Sequence, residues 1–128
     1  MPTWPVVTGD VVTSTIWNGL PAFTINTAAT VDYTAVLADS YQVLQQMNKA
    51  TAIAFKIPTN ASVAIPVGSV ITVLNIGVGT CTISAVTPGT TTVLSAGATA
   101  ASPTLAQYKS AACIKTGTDA WYVVGAIA

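Results

Sequence analysis

Ser69-Val70-Ile71-Thr72-Val73-Leu74-Asn75-Ile76, then Gly77-Val78-Gly79, then Thr80-Cys81-Thr82-Ile83-Ser84-Ala85 is the stretch that decides the fold. It is the densest run of β-branched residues in the chain, and such residues favour strands because their stiff side chains pack well on a pleated surface. Pro66 and Gly68 precede it as turn residues: proline cannot donate to a sheet ladder, and glycine adopts backbone angles that other residues avoid. Residues 69–76 therefore read as one strand and residues 80–85 as its partner. The Gly77-Val78-Gly79 triplet is short and sterically permissive, so the expected unit is a β-hairpin. From Val70 to Ile76 both alternating sets are largely apolar, with Val70, Thr72, Leu74 and Ile76 in one and Ile71, Val73 and Asn75 in the other. A strand covered on both faces has that pattern, which places it in the centre of a sandwich or between neighbouring subunits.

Outward from this stretch, short β-like runs alternate with turn residues at fairly even spacing, the pattern of a sandwich or barrel. Asp32 to Leu37, Gln42 to Met47, Thr51 to Ile57, Thr90 to Leu94, Leu105 to Ile114 and Ala120 to Ile127 read as further strands. Ala38-Asp39-Ser40, Pro58-Thr59-Asn60-Ala61, Pro88-Gly89 and Lys115-Thr116-Gly117-Thr118-Asp119 read as turns. The fold class is all-β, an antiparallel β-sandwich or barrel-like domain with an extended N-terminal arm. No fixed period points to a solenoid or propeller.

Residues 1–30 differ from the rest. Pro2 and Pro5 keep the start extended, and Trp4 is a large apolar group in a segment too short for a core of its own. Thr13 or Ser14 can cap a short helix carrying Ile16, Trp17 and Leu20, which Pro21 would end; residues 22–30 have the make-up of an arm or linker. The chain divides into an N-terminal arm or attachment segment, 1–30, and a β-domain, 31–128. Trp4, Trp17 and Phe23 are the candidate anchors of the arm, docking on a neighbour or folding back on their own domain.

The chain has 128 residues, of which 52% are hydrophobic and only 6% charged. Four aspartates face four lysines, with no arginine, glutamate or histidine. A folded domain of this mass exposes on the order of 6,000 Å², and eight charges cannot supply the mixed charged coat that keeps ordinary monomers apart. Much of the surface is therefore expected to be covered by copies of the chain or by a larger assembly; the alternative is a neutral, threonine-rich monomer. Phosphate binding needs clustered cations, so nucleic acid is not an expected partner. No apolar run reaches the length of a membrane span, and the start lacks the basic and apolar regions of a secretion signal, so a soluble chain without a membrane partner is expected. Cys81 and Cys113 fall in expected strands, where buried free thiols are the expectation and a disulfide the alternative.

General acid or base chemistry would fall to aspartate, lysine or tyrosine. Asp39 and Asp119 lie in turns, where the ordinary task is to accept backbone hydrogen bonds, and Asp10 and Asp32 border strands or linkers. There is no nucleophile elbow, no phosphate-cradling glycine loop, no calcium-loop spacing and too few ligands for structural zinc. No catalytic residue, metal or cofactor is expected.

The run from Tyr33 to Gly125 resembles a small β-domain of bacteriophage virion proteins of the head-decoration and tail-fibre type. The resemblance is carried by Ala38-Asp39, Pro58, Ala61 to Gly68, Gly77-Val78-Gly79, Gln107-Tyr108 and, most specifically, by Ile114-Lys115-Thr116-Gly117-Thr118-Asp119-Ala120-Trp121-Tyr122-Val123-Val124-Gly125. Gly9-Asp10-Val11-Val12-Thr13 with Asn18 is similar to N-terminal attachment segments of such proteins. Tyr41 and Ala106 depart from the glycines usual at those turns. The resemblance implies a virion component, commonly a homotrimer, made in the host cytoplasm and without catalytic residues. A short chain lacking fibrous repeats suits a capsid decoration or cement protein bound to the major capsid protein. The rival is a tail-fibre or adhesin-type module binding host glycan through Tyr41, Tyr108, Trp121 or Tyr122.

Overall fold

Alternation of buried and outward side chains along each β-branched run, as in the buried Ile53, Phe55 and Ile57, gives strands with one face turned to a shared interior. The computed structural model describes residues 24–40, 43–95 and 102–127. Trp4, Trp17 and Phe23, and the helix expected from Thr13 to Leu20, lie outside them. The described strands are β1 (Thr24–Ile25), β2 (Tyr33–Thr34), β3 (Val43–Met47), β4 (Ile53–Ile57), β5 (Val70–Asn75), β6 (Cys81–Ala85), β7 (Thr92–Ser95), β8 (Thr104–Leu105), β9 (Lys109–Gly117) and β10 (Ala120–Gly125). A 3-10 turn, Leu37–Ser40, is the one helical element among these residues.

The strands make two sheets, a six-stranded one in the order β1-β3-β5-β9-β10-β7 and a four-stranded one in the order β2-β4-β6-β8. The all-β, sandwich-like arrangement is the expected one, but the strand directions are not. Five of the eight pairings are parallel and three antiparallel, so the sheets are mixed.

The reason lies in the decisive stretch itself. β5 and β6 do not pair as a hairpin; β5 belongs to the larger sheet and β6 to the smaller. Residues 76–80 are an arch that carries the chain from one sheet to the other. β3 and β4 are joined in the same way, and the two units stack with residues 28 apart side by side, as in Leu44 with Thr72 and Ile53 with Cys81. The stacked arches are bonded through the backbone: Ile76 N–H donates to Met47 O (2.9 Å), Gly79 N–H to Lys49 O (2.9 Å) and Ile53 N–H to Thr80 O (3.1 Å). A Cβ on Gly77 would collide with the Lys49 backbone, and one on Gly79 with the carbonyl of Thr51. The glycines thus serve close stacking of arches where the sequence suggested a hairpin turn. β1 and β2 add a shorter third layer, with Tyr33 beside Phe55 and Ala29 bridging Met47. Residues 24–29, whose composition reads as linker, therefore form the edge of this stack.

β9 and β10 pair within the larger sheet as an antiparallel hairpin, as the glycine at position 117 leads one to expect, and β7 lies at the edge beyond β10. The strand expected from Leu105 to Ile114 is split into β8 and β9 by a turn at which Tyr108 adopts φ 63° and Lys109 N–H donates to Ala106 O (3.1 Å). The core between the sheets contains Met47, Phe55, Ile57, Ile71, Val73, Ile83, Leu105, Trp121 and Val123, with both cysteines.

Candidate functional site

The two outward faces of the sandwich carry different chemistry, and register places each residue. On the larger sheet, Ile25, Leu44, Thr72, Ala112 and Val124 lie side by side across β1, β3, β5, β9 and β10. The next row is Val70, Ile114, Tyr122 and Leu94, across β5, β9, β10 and β7. A third holds Gln46, Leu74 and Ser110. No residue of these rows is charged. Ile25, Val70, Tyr122 and Val124 are 43% to 58% exposed, and Leu44, Leu74, Leu94 and Ile114 are half-buried. A contiguous apolar surface of this kind marks an interaction site more often than an ordinary solvated face.

The outward face of the smaller sheet reads instead Thr34, Lys56, Ser84 in one row and Ala54, Thr82, Thr104 in the next. Lys56 Nζ stands 3.7 Å from Asp32, both largely exposed, and Asp32 also accepts the Ala54 N–H (3.0 Å). This is a hydrated surface.

Two buried polar clusters flank the core. Asp39 sits in the 3-10 turn and accepts the Val36 N–H (2.9 Å), as its turn position predicts, but also the Tyr33 hydroxyl (2.8 Å) and Gln45 Nε2 (2.7 Å). Partial burial and, after it, the neighbouring Asp39 push the Tyr33 hydroxyl up to about 12. Tyr33 therefore stays neutral and serves as a donor. In the second cluster Lys115, 2% exposed, donates to Asn60 Oδ1 (2.7 Å) and to the Ile65 carbonyl, with its ammonium 6.0 Å from the Trp121 ring. Asp119 accepts the Asn60 N–H (2.8 Å) and the Thr91 hydroxyl (3.2 Å). Burial lowers the Lys115 pKa, and the nearby Asp119 opposes that shift. Both clusters tie turns to strands. Among the described residues, Gln45 Oε1 is the one fully buried side-chain polar atom without a hydrogen-bond partner.

Asn75 performs the same service for the arch. Its Nδ2 donates to the carbonyls of Gly79 and Leu105 (2.8 Å each), and its Oδ1 accepts the Gly77 N–H (3.1 Å). Cys81 and Cys113 are free and fully buried, with burial pushing their thiols up to about 11 and about 12. Reactive thiols require the opposite shift. Among the described residues no group of three His, Cys, Asp or Glu side chains stands close enough to hold a metal ion.

The structure separates the glycan-binding candidates. Trp121 is in the core, Tyr122 lies on the apolar outer face, and Tyr108 is 74% exposed at its turn. Tyr41, like the arm anchors Trp4, Trp17 and Phe23, falls outside the described residues. The sequence named the arm as the contact element and placed the doubly apolar strand from Val70 to Ile76 in the centre of a sandwich or between subunits, without marking the rows that continue across β3, β9, β10 and β7. Comparison with family models, with curated proteins and with solved structures gives no match for this chain.

Proposed function

We propose that the chain is a non-enzymatic structural protein of a bacteriophage virion, a capsid decoration protein that binds the outside of the major capsid lattice and stabilises it. The observation that carries this reading is an uncharged, largely apolar outer sheet face on a chain with only eight charged residues, a surface suited to permanent burial in an assembly. The resemblance of Ile114 to Gly125 to virion β-domains supports it, as does the placement of the buried polar groups in structural roles. The mechanism is mechanical. Each copy buries apolar surface across capsomer junctions, and a ligand that binds only the assembled lattice stabilises that lattice by mass action. Trp4, Trp17 and Phe23 are the proposed anchors to the lattice.

Quantitative mass spectrometry of purified particles tests the reading. A copy number on the order of hundreds, as icosahedral symmetry multiplies each site, is the expected result, and absence from particles overturns it. A few to a few tens of copies would favour the adhesin-type reading, which Tyr108 supports by presenting an exposed ring from a turn. For that reading the discriminating variant is Tyr108→Gly, which relieves the left-handed backbone while removing the ring; it should abolish glycan-array binding if the ring is the contact.

A further inference from the structure

We infer that the outward face of the six-stranded sheet is a self-association surface, buried in solution against the same face or a neighbouring face of a second copy of this chain. The inference deepens the virion reading and rests on the same face that carries it, naming a second copy of the chain as what covers that face. Its basis is the two rows that run from edge to edge of the sheet, Ile25-Leu44-Thr72-Ala112-Val124 and Val70-Ile114-Tyr122-Leu94.

Three properties select a second copy as the occupant. The first is charge. A partner recognised through complementary charge would need ions on this face, and the rows hold none; a second copy brings an equally uncharged surface, so no ion is left buried without a partner. The second is area. Rows four and five strands wide, about 4.8 Å apart, and strands about six residues long give a patch on the order of 400 Å² in projection. Two such patches remove about 800 Å² even before side-chain relief and the rim are added, which brings the contact to the roughly 1,000 Å² that a specific interface requires. The third is shape. Sheets pack face to face about 10 Å apart when both present medium-sized apolar side chains, and this face offers valine, leucine, isoleucine and one tyrosine over small threonine and alanine. The hydrated face of the smaller sheet, with Lys56 and five small, mostly hydroxylated side chains, has none of these properties.

The test is the mass of the purified full-length chain at about 50 µM, by sedimentation or light scattering, for the natural sequence, for Val124→Lys and for Thr82→Lys. Val124 and Thr82 both point outward, on opposite sheets, so neither lysine enters the core. The natural chain and Thr82→Lys are expected at twice the 13.0 kDa of one chain or more, and Val124→Lys at 13.0 kDa or with an association at least tenfold weaker. A second measurement does not rely on destabilising anything. Val124→Cys places a reactive thiol on the apolar face while the natural cysteines are buried, and a short bis-maleimide should join two copies through it, whereas Thr34→Cys on the other sheet should not be joined. A natural chain of 13.0 kDa overturns the inference and leaves the face to residues 1–23 or to a different protein. Equal cross-linking at positions 124 and 34 overturns it too. Neither outcome bears on the copy number in particles, so the two readings fail separately.

Discussion

The outer face of the six-stranded sheet and the outer face of the four-stranded sheet are built on the same core and joined by the same arches, yet one is uncharged and largely apolar and the other is hydroxylated and charged. Since both faces are outward positions of half-buried strands, strand propensity does not account for the difference. Threonine and valine are both good strand residues. What differs is the side chains each face carries, Thr34, Lys56 and Ser84 on one and Val70, Ile114 and Tyr122 on the other, and the self-association proposed above assigns water to the first and a protein surface to the second. The contrast teaches that a sheet's exposed side records its partner as clearly as its buried side records the core.

The contrast holds only while the arches hold the sheets in register, and the largest expected effect removes that condition. Gly79→Val drives side-chain carbon into the Thr51 carbonyl, a backbone atom that cannot move without unstacking the arch at residues 48–52. A loss of about 4 kcal/mol or more is expected, in the range reserved for strained backbone and core disruption. Chemical denaturation monitored by circular dichroism checks it, and a loss under about 1 kcal/mol would show that the arches are not in contact as described.

Next in size is Asn75→Leu. It leaves the Gly77 N–H and the carbonyls of Gly79 and Leu105 without their side-chain partner in a buried site, at an expected cost of about 3 kcal/mol. The reverse exchange at Leu74→Asn, one residue away on the outer face, should cost less than about 1 kcal/mol of fold stability in the isolated chain while weakening self-association. Equal effects at the two positions would erase the distinction between interior and outer face.

How much of this was legible from sequence divides along the same line. Alternation in Thr51 to Ile57 and the glycine at 117 marked β4 and the β9-β10 hairpin, because strand period and tight turns are local properties. The run from Val70 to Ile76 marked a strand, and its Ile71, Val73 and Asn75 set is the buried one, while its other set faces outward with Val70 43% exposed. The arch did not show itself: Gly77-Val78-Gly79 suits a hairpin as well as a sheet crossing, and the choice is made by Lys49 and Thr51, 28 residues earlier. The parallel stacking stayed hidden for a related reason. Residues 44–57 and 72–85 share much of their burial pattern but no identical position, with Gln45 matching Val73 and Met47 matching Asn75, so no repeat is visible by eye. Of the buried polar groups, Asp39 was expected in a turn, but Lys115 looked like a solvated turn residue because its partners, Asn60 and Ile65, come from a distant loop.

Alkaline pH probes whether the two sheets come apart together. Cys81 lies on the smaller sheet and Cys113 on the larger, and burial holds their protons to about 11 and about 12 against an ordinary 9.0, as it holds that of Tyr33 to about 12 against 10.0. Above pH 9 the unfolded chain releases protons that the fold keeps, so stability falls as pH rises through this range. Lys115 acts in the opposite sense, since its lowered pKa means the fold gives up a proton before the unfolded chain does. Three groups against one give a net loss of stability between about pH 8.5 and 10.5, read as a lower denaturation midpoint. Cys113→Ala should flatten the slope, and a slope unchanged by that substitution would contradict the buried thiol.

The smallest effect belongs to the hydrated face. The Lys56 and Asp32 pair spans 3.7 Å between side chains that are 40% and 53% exposed, where screening and side-chain entropy leave a net value of a few tenths of a kcal/mol. Lys56→Gln is therefore expected to change stability by less than about 0.5 kcal/mol, and 1 M salt should abolish even that. Asp32→Ala should cost more, about 1 kcal/mol, because it also removes the acceptor of the Ala54 N–H at the start of β4, and that part should survive high salt. The salt-resistant remainder separates a hydrogen bond that positions a strand from a charge pair that merely decorates a surface, and only the first of these gives the smaller sheet's outer face a part in holding the sandwich together.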